Sequence, residues 1–133
     1  MNRDEIIAYV QRISESAGSK LKNLLEKESE FVEKGNKYEE KFTKRQFDLA
    51  VDPIINAEYI RSQIIERTRK SPMSVKEIAK SLELSPKDIL QHITVLQRRN
   101  LIAVDSIKNR VPMYRGLFEE PVKEKETQNE TKK

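Results

Sequence analysis

The stretch SVKEIAKSLELSPKDILQHITVLQRRNLIAV, residues 74–104, decides the fold. Ser74 with Glu77 three residues later is a capping box, in which hydroxyl and carboxylate each satisfy a backbone N–H left free at a helix start. Val75, Ile78, Ala79 and Leu82 then fall three or four apart and mark one face of a two-turn helix ending near Ser81. Ser85-Pro86 opens the next helix, since serine caps well and proline at the first helical position has no N–H to leave unpaired. Asp88 suits the positive end of that helix. It runs to about Arg99 with Ile89, Ile93 and Leu96 inward, and Asn100 serves as its stop. Only Leu82-Glu83-Leu84 separates the two helices, so they cross sharply.

Outward from this core, Leu101–Asp105 and Arg110–Arg115 are β-prone runs joined by Ser106–Asn109. Pro112 cannot donate to a ladder, which predicts an edge strand or an irregularity there. Upstream, Asp52-Pro53 predicts a helix start, with Ile54, Ala57, Ile60, Ile64 and Ile65 inward as far as Arg69 and Ser71-Pro72 as the end. Helix, short helix, tight turn, helix and two-stranded hairpin make a winged helix-turn-helix over residues 53–116. The expected fold class is mainly α with a small two-stranded β-wing, preceded by a long N-terminal helical arm.

That arm, residues 1–52, begins with a helical pattern over 4–34: Ile6, Val10, Ile13, Ala17, Leu21, Leu24, Leu25, Phe31 and Val32 share a face. Asp4 is the expected cap. Gly18 is the expected break, with Ser19 capping a second piece, because glycine costs about 1 kcal/mol relative to alanine inside a helix. Gly35-Asn36 is a plausible stop. Beyond it Tyr38, Phe42 and Leu49 would share a helical face, though an irregular connection fits nearly as well; the Phe31, Tyr38, Phe42 and Phe47 series reads as packing. Residues 117–133 form a charged tail with few apolar side chains, expected to be disordered.

Composition narrows the function. With no cysteine and the single histidine His92, thiolate and multi-histidine metal sites are excluded, and no cofactor is expected. Three glycines form no phosphate-cradling loop, and His92 lies on a helix without a triad, so an enzyme is not expected. No apolar run approaches the roughly 18–20 residues of a membrane helix, and residues 1–7, MNRDEII, lack the apolar stretch of a signal peptide. The expectation is a cytoplasmic protein without membrane contact. The net charge of +4 is unevenly spread. Residues 53–116 carry 12 Lys/Arg against 6 Asp/Glu, a net +6, while residues 1–52 and 117–133 are each at −1. A local basic excess is the footprint of a phosphate-binding surface, although a solvated basic face has the same composition.

Residues 71–115 resemble ArsR/MarR-like bacterial and archaeal transcription regulators. The resemblance is carried by Ser74 with Glu77-Ile78-Ala79, by Leu84-Ser85, and by His92-Ile93 with Val95-Leu96. Asn100-Leu101-Ile102 stands where these regulators commonly have Gly-Leu-Val, and Val111–Arg115 is similar to the returning strand of their wing. The resemblance implies double-stranded DNA as partner and dimerisation through helices outside the reading head, here the N-terminal helix.

Helical geometry sorts the reading helix. At about 100° per residue, burying Ile89, Ile93 and Leu96 sets Lys87, Gln91, Thr94 and Arg98 on the opposite side. Lys87 suits phosphate or guanine, Gln91 has the amide geometry for an adenine edge, Thr94 offers a hydroxyl and Arg98 reaches the backbone. Ser85 stands at a helix N-terminus, where phosphate is favoured. Lys108, Asn109 and Arg110 form a basic wing tip. His92, beside the buried stripe, reads as a packed helical residue. Leu90 stands where the family often has a small polar residue; it suits a thymine methyl or a protein surface. Two functions follow from the sequence. One is a homodimeric DNA-binding transcription regulator. The other is a winged-helix subunit that docks onto a larger protein complex without sequence-specific DNA binding.

Overall fold

The computed structural model describes residues 2–34 and 43–119. In chain order the elements are α1 (Arg3–Ile13), α2 (Glu15–Glu26), a π-helical turn (Glu30–Lys34), α3 (Lys44–Lys70), α4 (Val75–Leu82), α5 (Pro86–Arg98), β1 (Ile102–Lys108) and β2 (Val111–Gly116). The architecture is a winged helix with α1 and α2 packed along α3. Tyr38, Phe42, the Gly35-Asn36 stop and the tail from residue 120 onward lie outside the described residues.

The N-terminal helix breaks at Ser14, four residues before the expected Gly18. Ser14 is extended (φ −142°, ψ 106°); its N–H closes α1 on the Val10 carbonyl, while its hydroxyl caps α2. A serine that serves as both stop and cap ends the helix more effectively than a glycine, which only weakens it. Gly18 instead permits close approach, since a Cβ there would overlap the Gln11 side chain across the α1–α2 contact. Asn2, rather than Asp4, caps α1, in a capping box with Glu5.

The second correction concerns α3. It starts at Lys44, capped by a Thr43–Gln46 box, and runs through Pro53 rather than starting there. Asp52 is therefore not a cap; its carboxylate accepts from Arg3 at 2.6 Å. Proline inside a helix removes the bond to the carbonyl four residues back. Here that is Leu49, and both residues are exposed, so the freed carbonyl sits on the solvent side.

Helix α3 serves two apolar clusters. Its N-terminal half packs Phe47, Val51 and Ile55 against Ile7 and Val10 of α1 and Ala17 and Leu21 of α2. Its C-terminal half packs Ile64 and Ile65 with Ile78, Ile89, Ile93, Leu96, Leu101, Ile102 and Tyr114. Ile13, at the end of α1, joins the second cluster, so the arm contributes to the core of the winged helix. Polar contacts reinforce this seam: Tyr9 donates to Glu66 at 2.7 Å, and its ring meets Tyr59 edge-on at 5.6 Å.

The hairpin is tighter than its sequence suggests. The strands extend to Lys108 and Val111, leaving a two-residue turn, Asn109-Arg110, with φ of 51° and 69°. Two consecutive left-handed residues match the right-handed twist of paired strands. The ladder shifts register between Val104 and Ser106, and Met73 adds a bridge to Tyr114. Pro112 lies opposite Ile107 in an edge strand of the two-stranded sheet, two residues before the Tyr114 bridge to Met73. Gly116 brings β2 onto α3, as a Cβ there would lie 2.5 Å from the Ile65 carbonyl oxygen.

Past β2, Leu117, Phe118 and Glu119 are each held against the rest of the fold. The Leu117 N–H donates to the Leu101 carbonyl. Arg69 donates to the Leu117 and Ile13 carbonyls and lies 4.1 Å over the Phe118 ring. The Glu119 carboxylate accepts from the Ser16 N–H and from the Ser14 and Ser16 hydroxyls at the start of α2.

Candidate nucleic-acid interface

The turn between α4 and α5 is built as its sequence implies. Ser74 and Glu77 exchange the two capping-box bonds at 3.2 and 2.9 Å. Glu83 adopts the left-handed conformation (φ 57°) that closes α4, and the Leu84 N–H returns to the Ala79 carbonyl at 3.0 Å. Leu82 and Leu84 pack against the core on either side. The Ser85 oxygen accepts from the Asp88 N–H at 3.1 Å, which fixes the first turn of α5. Each such cap contributes about 1 kcal/mol. Their combined effect is to hold the start of α5 in one orientation.

Ile89, Ile93 and Leu96 are fully buried, and Lys87, Gln91, Thr94 and Arg98 are exposed. The Thr94 hydroxyl donates to the Leu90 carbonyl at 2.9 Å. Its proton is thereby committed to the helix, and what it offers outward is an acceptor oxygen. Ser85, by contrast, uses its oxygen as a cap acceptor and keeps a proton to donate. Lys108, Asn109 and Arg110 are all exposed at the hairpin tip. Leu90 is 50% exposed beside Lys87 and lines a shallow cleft with Val75, Lys76, Pro86, Val111, Pro112 and Tyr114.

His92 points away from this face. It is half-buried, and its Nδ1 accepts from Arg61 Nε at 3.2 Å. Burial first, and then the Arg61 charge, lower its pKa, so the ring is neutral near pH 7. This is the packed role expected from its position. The surrounding network is not evident from periodicity. Glu58, buried on the inner face of α3, accepts from Arg61 at 2.8 Å and from both terminal nitrogens of Arg99 at 2.8 and 2.9 Å. Burial opposes its charge, but the two guanidinium groups outweigh that and hold its carboxyl below the usual range. The available signal was an acid three residues after Ile55 on an otherwise apolar stripe. Among the described residues no group of three His, Asp or Glu could hold a metal ion, and no helix is long and apolar enough to cross a membrane.

Residues 59–104, about a third of the chain, match the family model for bacterial regulatory proteins of the arsR family. This segment is ArsR-like, and it lies within the winged helix-turn-helix of the fold. The match begins inside α3, spans α4 and α5 and ends within β1. No curated protein and no solved structure gives a significant match to the chain. The ArsR-like segment supports, in general terms, a DNA-binding role in transcription regulation.

Proposed function

We propose that the protein is a cytoplasmic, homodimeric transcription regulator that acts by binding duplex DNA rather than by catalysis. In this reading α5 enters the major groove, Lys87, Gln91 and Thr94 face base edges, and Ser85 and Arg98 contact the backbone. Lys108, Asn109 and Arg110 grip the phosphates beside it. The observation that carries the reading is the ArsR-like segment with a fully capped α5 whose outward face is polar and basic. The net charge of +6 over residues 53–116 supports it. Residues 1–52 would serve pairing, residues 53–116 reading, and residues 117–133 would be a charged extension. Because Ile7, Val10, Ala17 and Leu21 are already covered by α3, pairing would use the apolar side chains that α2 and the start of α3 leave at least partly exposed, such as Leu24, Leu49 and Ala50. Two reading heads on a two-fold axis would face half-sites about one helical turn apart.

The deciding experiment is selection of duplexes from genomic fragments, followed by affinity measurement at physiological salt. The reading requires a selected duplex to bind more tightly than bulk DNA, with affinity falling steeply as salt rises. No such preference would sink it. One observation favours a second reading, a subunit docking onto a larger protein complex: Leu90, Val104, Ile107 and Val111 leave apolar surface exposed on α5 and the wing. Stoichiometric recovery of one protein partner without enrichment of DNA would support that reading instead.

A further inference from the structure

We infer that the cleft between the start of α5 and the wing is a thymine-reading site, in which the 5-methyl group of a thymine packs on Leu90 while Lys76 holds a flanking phosphate and Lys87 faces the neighbouring base edge. The inference rests on the DNA-reading role proposed above and names what that role would recognise. The cleft encloses about 450 Å³, and its lining is apolar apart from two lysines and Tyr114. Val75, Pro86, Leu90, Val111 and Pro112 supply its aliphatic lining, Lys76 and Lys87 its charges, and among the described residues no carboxylate lines it. Both lysines are exposed, and neither forms an ion pair among the described residues. An occupant must therefore be anionic at its edges and apolar at its centre.

A DNA strand with thymine at this position has that pattern. Thymine is the base whose major-groove edge carries a methyl group, and an aliphatic side chain reads it by contact. Leu90 is placed for such contact. It sits one turn after Lys87 and one turn before Thr94, whose hydroxyl bonds its carbonyl, so it borders the polar strip of α5 rather than the core. Half of its side chain stands in water, although the buried positions Ile89 and Ile93 satisfy the fold without it. Gln91, adjacent on the same strip, has the donor and acceptor pair that fits adenine. Together they favour half-sites that contain A·T pairs.

The test uses the full chain and a duplex chosen by selection. Each thymine is replaced in turn by deoxyuridine, which removes one methyl group and leaves every hydrogen bond intact. Burial of one methyl predicts that one position per half-site loses about three- to fivefold in affinity. Leu90→Ala should erase that dependence, and Leu90→Met, which keeps the apolar body, should retain it; circular dichroism checks that both variants fold. The inference is overturned if deoxyuridine is tolerated everywhere, or if Leu90→Ala keeps the same methyl dependence. Those two results arise only with a duplex that is bound specifically. If no duplex exceeds bulk DNA, the DNA-reading role itself has failed and the inference falls with it. If the Leu90 surface then retains an acidic protein instead, the cleft is a protein-docking site.

Discussion

Arg99 clasps Glu58 end-on, with its two terminal nitrogens 2.8 and 2.9 Å from the two carboxylate oxygens. This pair joins the C-terminal end of α5 to the middle of α3, and Arg61 completes it from the other side. Removing Glu58 would leave two guanidinium groups facing each other across a poorly solvated space. A fully buried pair broken in this way costs about 3–5 kcal/mol. Because the Arg99 side chain is 35% exposed, Glu58→Ala is expected to cost less, about 2–3 kcal/mol. Urea denaturation measures this directly. The pH dependence has a definite sign. The folded Glu58 pKa is depressed, so its stabilisation is complete above the ordinary value of 4.5 and is lost as the pH falls below it. Glu58→Gln should flatten the acid limb of stability against pH.

His92 offers an independent check on the same network. Its ring accepts a hydrogen bond from Arg61, which only the neutral form can do at that nitrogen. Its folded pKa lies below 6.5. It therefore adds stability above pH 6.5 that disappears as the pH falls through the lower folded value. NMR titration of the imidazole protons should give a midpoint under 6.5 in the native protein, returning toward 6.5 in urea. A native midpoint above 6.5 would refute the contact. His92→Gln keeps an acceptor in reach and should fold while losing this part of the pH dependence.

Pro53 shows where sequence signals compete. Asp-Pro is a sound helix-start signal, and the sequence carries one at residues 52–53. It also carries Thr43 with Gln46, an equally sound capping box, and the run Phe47, Val51, Ile55 at steps of four. Burial against α1 and α2 decided for the longer helix, since ending it at Pro53 would uncover Phe47 and Val51. The proline is tolerated at an energetic cost. Pro53→Ala should restore the bond to Leu49 and stabilise the protein by about 1–3 kcal/mol, read as a higher denaturation midpoint.

The winged-helix core was legible because its signals are local: two capped helix starts, a three-residue turn and two apolar stripes between Ser74 and Leu101. What was not legible depends on residues far apart in the chain. Ser14 becomes a break because α2 folds back on α1, and the hairpin turn moves to Asn109-Arg110 because strand pairing outweighs the left-handed strain at Arg110. The polar strip on α5 followed from helical geometry alone. The cleft beside it did not, since Val75 and Lys76 come from α4 and Val111 and Pro112 from the wing.

Glu119 is another long-range contact, and it makes the segment after β2 testable. Its carboxylate sits at the N-terminus of α2, where the helix dipole and the Ser16 N–H favour a negative charge. Burial opposes the charge, but the serine hydrogen bonds hold the pKa below the usual range. Glu119→Gln should destabilise the protein by about 1 kcal/mol and speed amide exchange at Ser16 and Leu117. Unchanged exchange at both sites would mean that the contact does not tie the wing to the arm.

The two faces of the proposed interface should separate in their effects on DNA. Lys87→Ala with Gln91→Ala removes groups assigned to base edges, so selected and bulk duplexes should come to bind alike. Lys108→Ala with Arg110→Ala removes two cations assigned to phosphate, so all sequences should weaken together and the salt slope should fall by about 2. Arg110 adds an internal control. It holds a left-handed conformation (φ 69°) that glycine adopts freely and that costs other residues about 1–2 kcal/mol. Arg110→Gly should therefore raise stability while lowering affinity for every duplex. Opposite signs in the two measurements would identify Arg110 as a residue kept for its charge at the expense of the fold. A variant that is stabilised and binds DNA as before would remove the wing tip from the interface.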